Sequence, residues 1–390
     1  MANIHEYLIW RGDVPFEISP FNEVDGLVLS ELAYANFSGV VADENESVTI
    51  EEARRRFWAL HTPQEIMAIN SYTKTAPFLM DEMAGKARFG GTILSNYYDV
   101  VDTDSDVQLS AITFHLPDGT VFVAFRGTDD TIVGWKEDFN MSYLPETEGQ
   151  RRAVKYLNDH WINSSAPLRL GGHSKGGNLA VYAAVCAAPE IRNRIIAVYN
   201  NDGPGFLDAF TNTKAYKDML PRIICIEPED CVIGSLLSSE AYQHIVKSTS
   251  FGIVQHDGFS WEVLGTRFVE VKKRSELSVF LETTVRQWLS EQAVETRRTF
   301  VNTLFSLLAS TGHENISEIK NDIPAALSRM KKMLDTMPRE QRDKSWNMLI
   351  QLFSKGAGNL LQETRKGLMA VLENWTSAKP EKNPKPGEEA

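Results

Sequence analysis

The sequence predicts an α/β protein: a mostly parallel β-sheet flanked by helices, with a helical region appended on its C-terminal side. Two observations carry that prediction. Between residues 147 and 227, short continuous apolar runs of strand length alternate with helix-patterned stretches, and strands that are apolar on both faces belong in a parallel sheet covered by helices. Beyond about residue 275 the β-rich runs cease, and apolar residues recur only at helical spacing.

Taken in order, residues 22–84 read as mostly helical. Val24, Leu27, Leu29, Leu32 and Ala33 share a helical period, and Thr49 caps a segment with Glu51 and Glu52 in its first turn. Residues 107–116 and 120–126 are β-rich and meet at Pro117-Asp118-Gly119, a turn signal, so they form a hairpin. A helix around 147–160 leads to a short strand, Leu168–Leu170, then to a glycine-rich turn and a helix carrying Leu179, Ala180, Ala183 and Ala184. A strand at 195–200, a polar-rich helix near 206–219 and a strand at 222–227 follow, with further β-rich runs at 243–249 and 261–271. From 275, Leu281, Val285, Trp288 and Leu289, then Phe300, Val301, Leu304, Phe305 and Leu308, begin a series continued by runs near 315–335, 340–355 and 358–375. These predict a bundle of about four helices. The expected division is an α/β domain over 1–272, a helical domain over 273–376 and a disordered Pro/Lys/Glu tail over 377–390.

The 390 residues are 43% hydrophobic and 24% charged, ordinary for a chain with a real core. The net charge of −12 is unevenly placed: residues 1–270 hold 21 Lys+Arg against 37 Asp+Glu, giving −16, and residues 271–390 hold 19 against 15, giving +4. Such a body repels nucleic acid and anionic membranes. The opening MANIHEYLIWRGDVPFE is not of signal-peptide type, and no stretch approaches the ~20 apolar residues of a spanning helix. Three cysteines, Cys186, Cys225 and Cys231, cannot all pair and sit in apolar contexts, which points to a reducing, cytoplasmic setting. Metal-ligand spacing, phosphate loops and dinucleotide fingerprints do not occur, so no cofactor is expected. Lys272-Lys273-Arg274 reads as a solvated helix start, with peripheral contact to anionic lipid as its alternative.

The strongest local signal is Gly172-His173-Ser174-Lys175-Gly176, which fits G-x-S-x-G between a short apolar strand and a helix. A nucleophile on a sharp strand-to-helix turn needs small residues two before and two after it. The same turn directs the Lys175 N–H at the reacting oxygen, beside the positive end of the helix. This context predicts an α/β-hydrolase fold with Ser174 as nucleophile. A Ser–Lys dyad with Lys175 is disfavoured, because adjacent side chains on a tight turn point apart. The second signal is Phe125-Arg126-Gly127-Thr128 at a strand end, followed by Trp135 and Asp138. A second oxyanion donor comes from a loop after an earlier strand, which nominates the N–H and hydroxyl of Thr128, with an Arg126–Asp138 ion pair bracing the loop.

VFVAFRGT, the Trp135…Asp138 pair and GGHSKGGNLA together resemble the class 3 (fungal-type) lipase superfamily, closest to its bacterial lipase-like branch, classed as a domain of unknown function. The resemblance spans roughly residues 1–270. It implies an aspartate on a loop after a later strand and then a histidine, which places Asp230 of IEPEDCVIGSLL and His256 of GIVQHDGFSW in the triad. The general chain order in α/β-hydrolases, Ser then Asp/Glu then His, agrees. Two features depart from the lipase pattern: Asn201-Asp202-Gly203-Pro204-Gly205 stands where a Gly-x-Pro-Arg segment is usual, and no apolar lid is evident.

Rivals remain within the sequence. Asp202 also follows a strand, but the resemblance places the acid one strand later. Glu227 and Glu229 share the Asp230 loop, His244 reads as structural, His173 points into the sheet or a neighbouring loop, and Asp257 is an exposed residue. The expected activity is cleavage of a lipid-like carboxylic ester or thioester through an acyl-enzyme. The alternatives are a lipase-like scaffold that binds a lipid or protein with little turnover, and amide cleavage by the same triad.

Overall fold

The computed structural model describes residues 2–41, 46–69, 71, 73–315, 318, 319, 325, 328–330, 332 and 333. The helical runs expected at 340–355 and 358–375, and the tail from 377, lie outside the described residues. An eight-stranded sheet runs in chain order: β1 (Ser47–Thr49), β2 (Ile93–Asp102), β3 (Val107–His115), β4 (Val121–Phe125), β5 (Leu168–His173), β6 (Ile195–Asn201), β7 (Ile223–Pro228) and β8 (Gln243–Val246). Strands β1 to β4 pair antiparallel, and β4 to β8 pair parallel. The predicted hairpin joins β3 to β4, closed by the Gly119 N–H on the Leu116 carbonyl at 3.0 Å. β2 was not read from the sequence: Asn96, at φ 53, lies in an irregularity between Ser95 and Tyr98 that breaks the two-residue alternation.

Helices cover both faces. The N-terminal set is α1 (Ile4–Arg11), α2 (Glu23–Leu32), α3 (Ile50–Leu60), α4 (Pro63–Ala68) and α5 (Leu79–Met83). The chain between β4 and β7 adds α6 (Ile132–Asn140), α7 (Glu148–Trp161), α8 (Lys175–Cys186), α9 (Pro189–Arg192), α10 (Asp208–Thr211) and α11 (Lys214–Met219). Strand alternation then sorts the core into two halves. Val121, Val123 and Phe125 pack with Ala153, Tyr156, Leu157 and Trp161 of α7 and with α8, whereas Phe122 and Ala124 pack with α1 and α2. Each large side chain so buried stabilises the fold by about 1.5–3 kcal/mol.

The central N-terminal helix is α2. Asn22 accepts from the N–H groups of Val24 and Asp25, and the Asp25 carboxylate reaches back to the Asn22 N–H. Every residue from Val24 to Leu32 is buried, as befits a helix apolar on most sides. Its buried Asp25 is satisfied: the carboxylate takes Arg88 Nε at 2.7 Å, Arg88 Nη2 and the Tyr7 hydroxyl at 2.7 Å. Arg88 spends its remaining donors on the carbonyls of Val14, Ser19 and Pro20.

Two further helices, α12 (Glu276–Glu291) and α13 (Val294–Ala309), lie in the region assigned from sequence to a separate helical domain. They pack on the α/β layers, within one compact unit, Met1–Met337. The cap of α12 ties it to the loop after β7: the Ser275 N–H donates to the Glu229 carbonyl at 2.9 Å and the Ser278 hydroxyl to the Cys231 carbonyl. On the other side, Phe305 of α13 meets Phe139 of α6 with ring centroids 5.4 Å apart, and the Ile132 N–H donates to the Glu314 carbonyl at 2.8 Å. The first contact falls on the loop after β7 and the second on α6, each beyond the C-terminal end of its strand. The parallel strands, the helices on both faces and the turn after β5 constitute an α/β-hydrolase fold.

Candidate active site

β5 ends at His173 and α8 begins at Lys175, leaving Ser174 alone in the turn at φ 57 and ψ −134. That backbone region is strained for a residue with a side chain, by roughly 1–3 kcal/mol, and persists only where its surroundings fix it. The Ser174 N–H donates to the Asn201 carbonyl at 2.9 Å, and the Ser174 carbonyl accepts from Gly177 at 2.9 Å. Close packing of α8 on β4 completes the clamp: a Cβ at Gly176 would lie 2.0 Å from the Phe125 carbonyl oxygen. Ser174 itself is half-buried.

β6 brings an acid to the same edge. His173 is in register with Asn201, so Asp202, the next residue, lies beside Ser174. The Asp202 carboxylate is buried, and its Oδ2 lies 2.6 Å from Nδ1 of His256. Its Oδ1 accepts the Cys231 thiol at 3.0 Å and the Gly234 N–H at 3.0 Å. His256 ends a short 3₁₀ turn, Gly252–His256, and its side chain keeps 25% of its surface exposed.

His173 holds His256 from behind. The two rings meet tilted by 36° at a centroid separation of 4.5 Å, and His173 Nε2 lies 2.7 Å from the His256 carbonyl oxygen. Donation there requires the proton on Nε2, which leaves Nδ1 to accept from the Tyr34 hydroxyl at 3.1 Å. Burial, followed by the charge of His256, pushes His173 well below the usual histidine range, so this ring is neutral. The reading that His173 points to a neighbouring loop thus meets a specific target, the loop of His256.

Asp230 is placed after β7 as the sequence predicts, but its carboxylate does not meet His256. Oδ2 accepts the Gly252 N–H at 2.8 Å and Gln255 Nε2 at 3.0 Å, and the Asp230 N–H donates to Gln255 Oε1 at 2.8 Å. Asp230 therefore braces the loop that carries His256, and Asp202 takes the ring. The reason is distance across the sheet. β6 adjoins β5, whereas β7 lies one strand further, about 4.8 Å more.

The loop after β4 lies against the serine turn. A Cβ at Gly127 would meet the Tyr34 hydroxyl at 2.1 Å, the His173 carbonyl at 2.5 Å and Ser174 Cβ at 3.1 Å. The Thr128 hydroxyl donates to Asp138 Oδ2 at 2.6 Å. Burial pushes the Asp138 carboxyl up to about 6, against the lowering effect of Lys175 and the Thr128 hydrogen bond. The predicted Arg126–Asp138 ion pair does not form, since Arg126 Nη2 lies 3.0 Å from Asp99 and 3.5 Å from Asp129. The N–H groups of Thr128 and Lys175 have no hydrogen-bond acceptor among the described residues.

Lys175 turns its side chain away from the serine. Its buried Nζ donates to the Gln108 carbonyl and Oε1, both at 2.8 Å, and to Glu137 Oε2 at 3.0 Å. That excludes it as a base for Ser174. His244 lies 3.3 Å from Glu270, and Asp257 caps the turn at Gly258–Ser260 by accepting from the Phe259 N–H. Among the described residues, no group of His, Cys, Asp and Glu has an arrangement that could hold a metal ion, and no helix is long and apolar enough to cross a membrane.

The sequence profile of the Mbeg1-like family matches residues 83–306, which contain the serine turn, Asp202 and His256. The chain belongs to the Mbeg1-like family. Among solved structures, this Mbeg1-like chain is similar to an M37 lipase at 15% identity and a TM-score of 0.33, over 55% of this chain and 70% of the lipase. It is similar also to the Rhizomucor miehei lipase in its propeptide complex, at 15% identity and a TM-score of 0.33, over 48% and 70%. No curated protein matches it. The family match extends through α12, which caps against the loop after β7, and into α13, which packs on α6.

Sequence reasoning weighed Asp202 and set it aside for a position one strand later. The signal for it was Asp-Gly-Pro-Gly directly after the strand that follows the Ser174 helix, a turn that sets a carboxylate beside Ser174. Tyr34, Cys231 and Gln255 carried no recognisable motif.

Proposed function

We propose that this protein is a serine hydrolase that cleaves a carboxylic ester through an acyl-enzyme. The observation that carries the reading is a strained serine turn at the end of β5 with Asp202 beside it at the end of β6, its buried carboxylate 2.6 Å from Nδ1 of the part-exposed His256. Nδ1–H of His256 donates to Asp202, which fixes the tautomer and leaves Nε2 to take the Ser174 hydroxyl proton. Ser174 Oγ then attacks the ester carbonyl. The N–H groups of Lys175 and Thr128, the first at the positive end of α8, are the donors for the resulting oxyanion. His256 returns the proton to the leaving alcohol, and water repeats the sequence to release the acid. Asp138 holds the Thr128 hydroxyl and so positions the second donor. By resemblance, the substrate class is a lipid-like acyl ester or thioester.

Labelling with a fluorophosphonate probe tests the reading. Wild type is labelled and Ser174→Ala is not, and p-nitrophenyl esters are cleaved faster than the matching anilides. Absence of labelling in the folded wild type would instead favour a binding scaffold without turnover.

A further inference from the structure

We infer that Cys231 is a positioning residue of this site, its thiol donating to the Asp202 carboxylate and thereby setting the basicity of His256. The inference rests on the triad reading above and adds a residue to it. Asp202 Oδ2 is committed to His256, so the donors on Oδ1 determine how much negative charge the carboxylate offers the ring. Those donors are the Gly234 N–H, which the backbone fixes, and the Cys231 thiol at 3.0 Å, which the side chain supplies.

The surroundings keep that thiol a donor. Cys231 is buried, with 1% of its surface exposed. Burial, then the negative charge of Asp202, pushes the thiol well above its usual range, so it stays protonated. Its position is fixed from the other side by the cap of α12, where the Ser278 hydroxyl donates to the Cys231 carbonyl. Glu227 also lies beside it, buried, in hydrogen-bonding interaction with the same thiol and with Oε2 unpartnered among the described residues. A thiol is a weaker donor than a hydroxyl. It therefore leaves the Asp202 charge more available to His256 than a serine there would.

Physical chemistry then orders three variants. Without the donor, the Asp202 charge is less stabilised and holds the imidazolium more tightly, raising the His256 midpoint. With a hydroxyl, more charge is withdrawn and the midpoint falls. The test is an NMR titration of His256 in the resting full-length protein labelled with ¹³C at histidine Cε1, its signal assigned by its loss in His256→Gln. The expected order of midpoints is Cys231→Ala above wild type above Cys231→Ser, with steps of about half a pH unit. Equal midpoints, or a reversed order, would overturn the inference. If Cys231→Ala does not fold, the near-isosteric Cys231→Ser decides alone: a fall supports the inference and no change overturns it. The order persists in a Glu227→Gln background, and its disappearance there would mean that the thiol acts through Glu227 instead. Because the titration needs no turnover, it is independent of probe labelling at Ser174, which tests the hydrolase reading itself.

Discussion

Nδ1 of His256 and Oδ2 of Asp202 lie 2.6 Å apart, one on the loop that follows β8 and the other at the end of β6. The pairing sets the Asp202 carboxylate, one strand from Ser174, on the His256 ring. It also frees Asp230, at the end of β7, to hold Gly252 and Gln255 of the histidine loop. Two aspartates thus divide the work: one faces the ring and the other fixes the backbone that delivers it.

Removing the ring behind His256 should slow chemistry without weakening binding. In His173→Ala the hydrogen bond to the His256 carbonyl and the ring contact are both lost. The expected result for ester hydrolysis is a kcat lower by about 10- to 100-fold with KM nearly unchanged, the signature of a misplaced catalytic group. A raised KM at unchanged kcat would contradict the role.

Glu227 should impose a pH dependence on stability. Burial, then the charge of Asp202, raises its carboxyl from 4.5 to about 7. Folding favours the neutral form, so its contribution is complete below about 4.5 and is lost as pH rises through about 7. Urea unfolding across this range should show Glu227→Gln gaining on wild type by up to about 3 kcal/mol between the two ends. A difference independent of pH would contradict this.

The fold was legible where its period was regular, and the site where residues were adjacent in sequence. The hairpin at Pro117-Asp118-Gly119 and the turn at Ser174 are local constructions, and both stand where the sequence placed them. β2 escaped because Asn96 interrupts its alternation. The choice between Asp202 and Asp230 is set by which strand adjoins β5, a tertiary fact with no local signature. The partner of Arg126 was missed for the same reason, since Asp99 reaches it from β2.

Interior charges should matter for stability in proportion to their burial. Arg88 and Asp25 are both fully buried, with every nitrogen of the guanidinium engaged. Arg88→Met leaves the Asp25 carboxylate without its countercharge and should lower unfolding stability by about 3–5 kcal/mol. By contrast, Lys155→Met, at an exposed pair with Asp159, should change it by less than about 1 kcal/mol. Denaturant unfolding of the two variants side by side gives the comparison, and equal losses would contradict it.

The most direct measurement is kcat/KM for one p-nitrophenyl ester in Asp202→Asn and Asp230→Asn, each checked for wild-type circular dichroism. With Asp202 as the acid, Asp202→Asn loses about 10⁴-fold. Asp230→Asn, which only loosens the loop bearing His256, loses about 10- to 100-fold. A loss in Asp230→Asn equal to or greater than that in Asp202→Asn would contradict the Ser174–His256–Asp202 assignment.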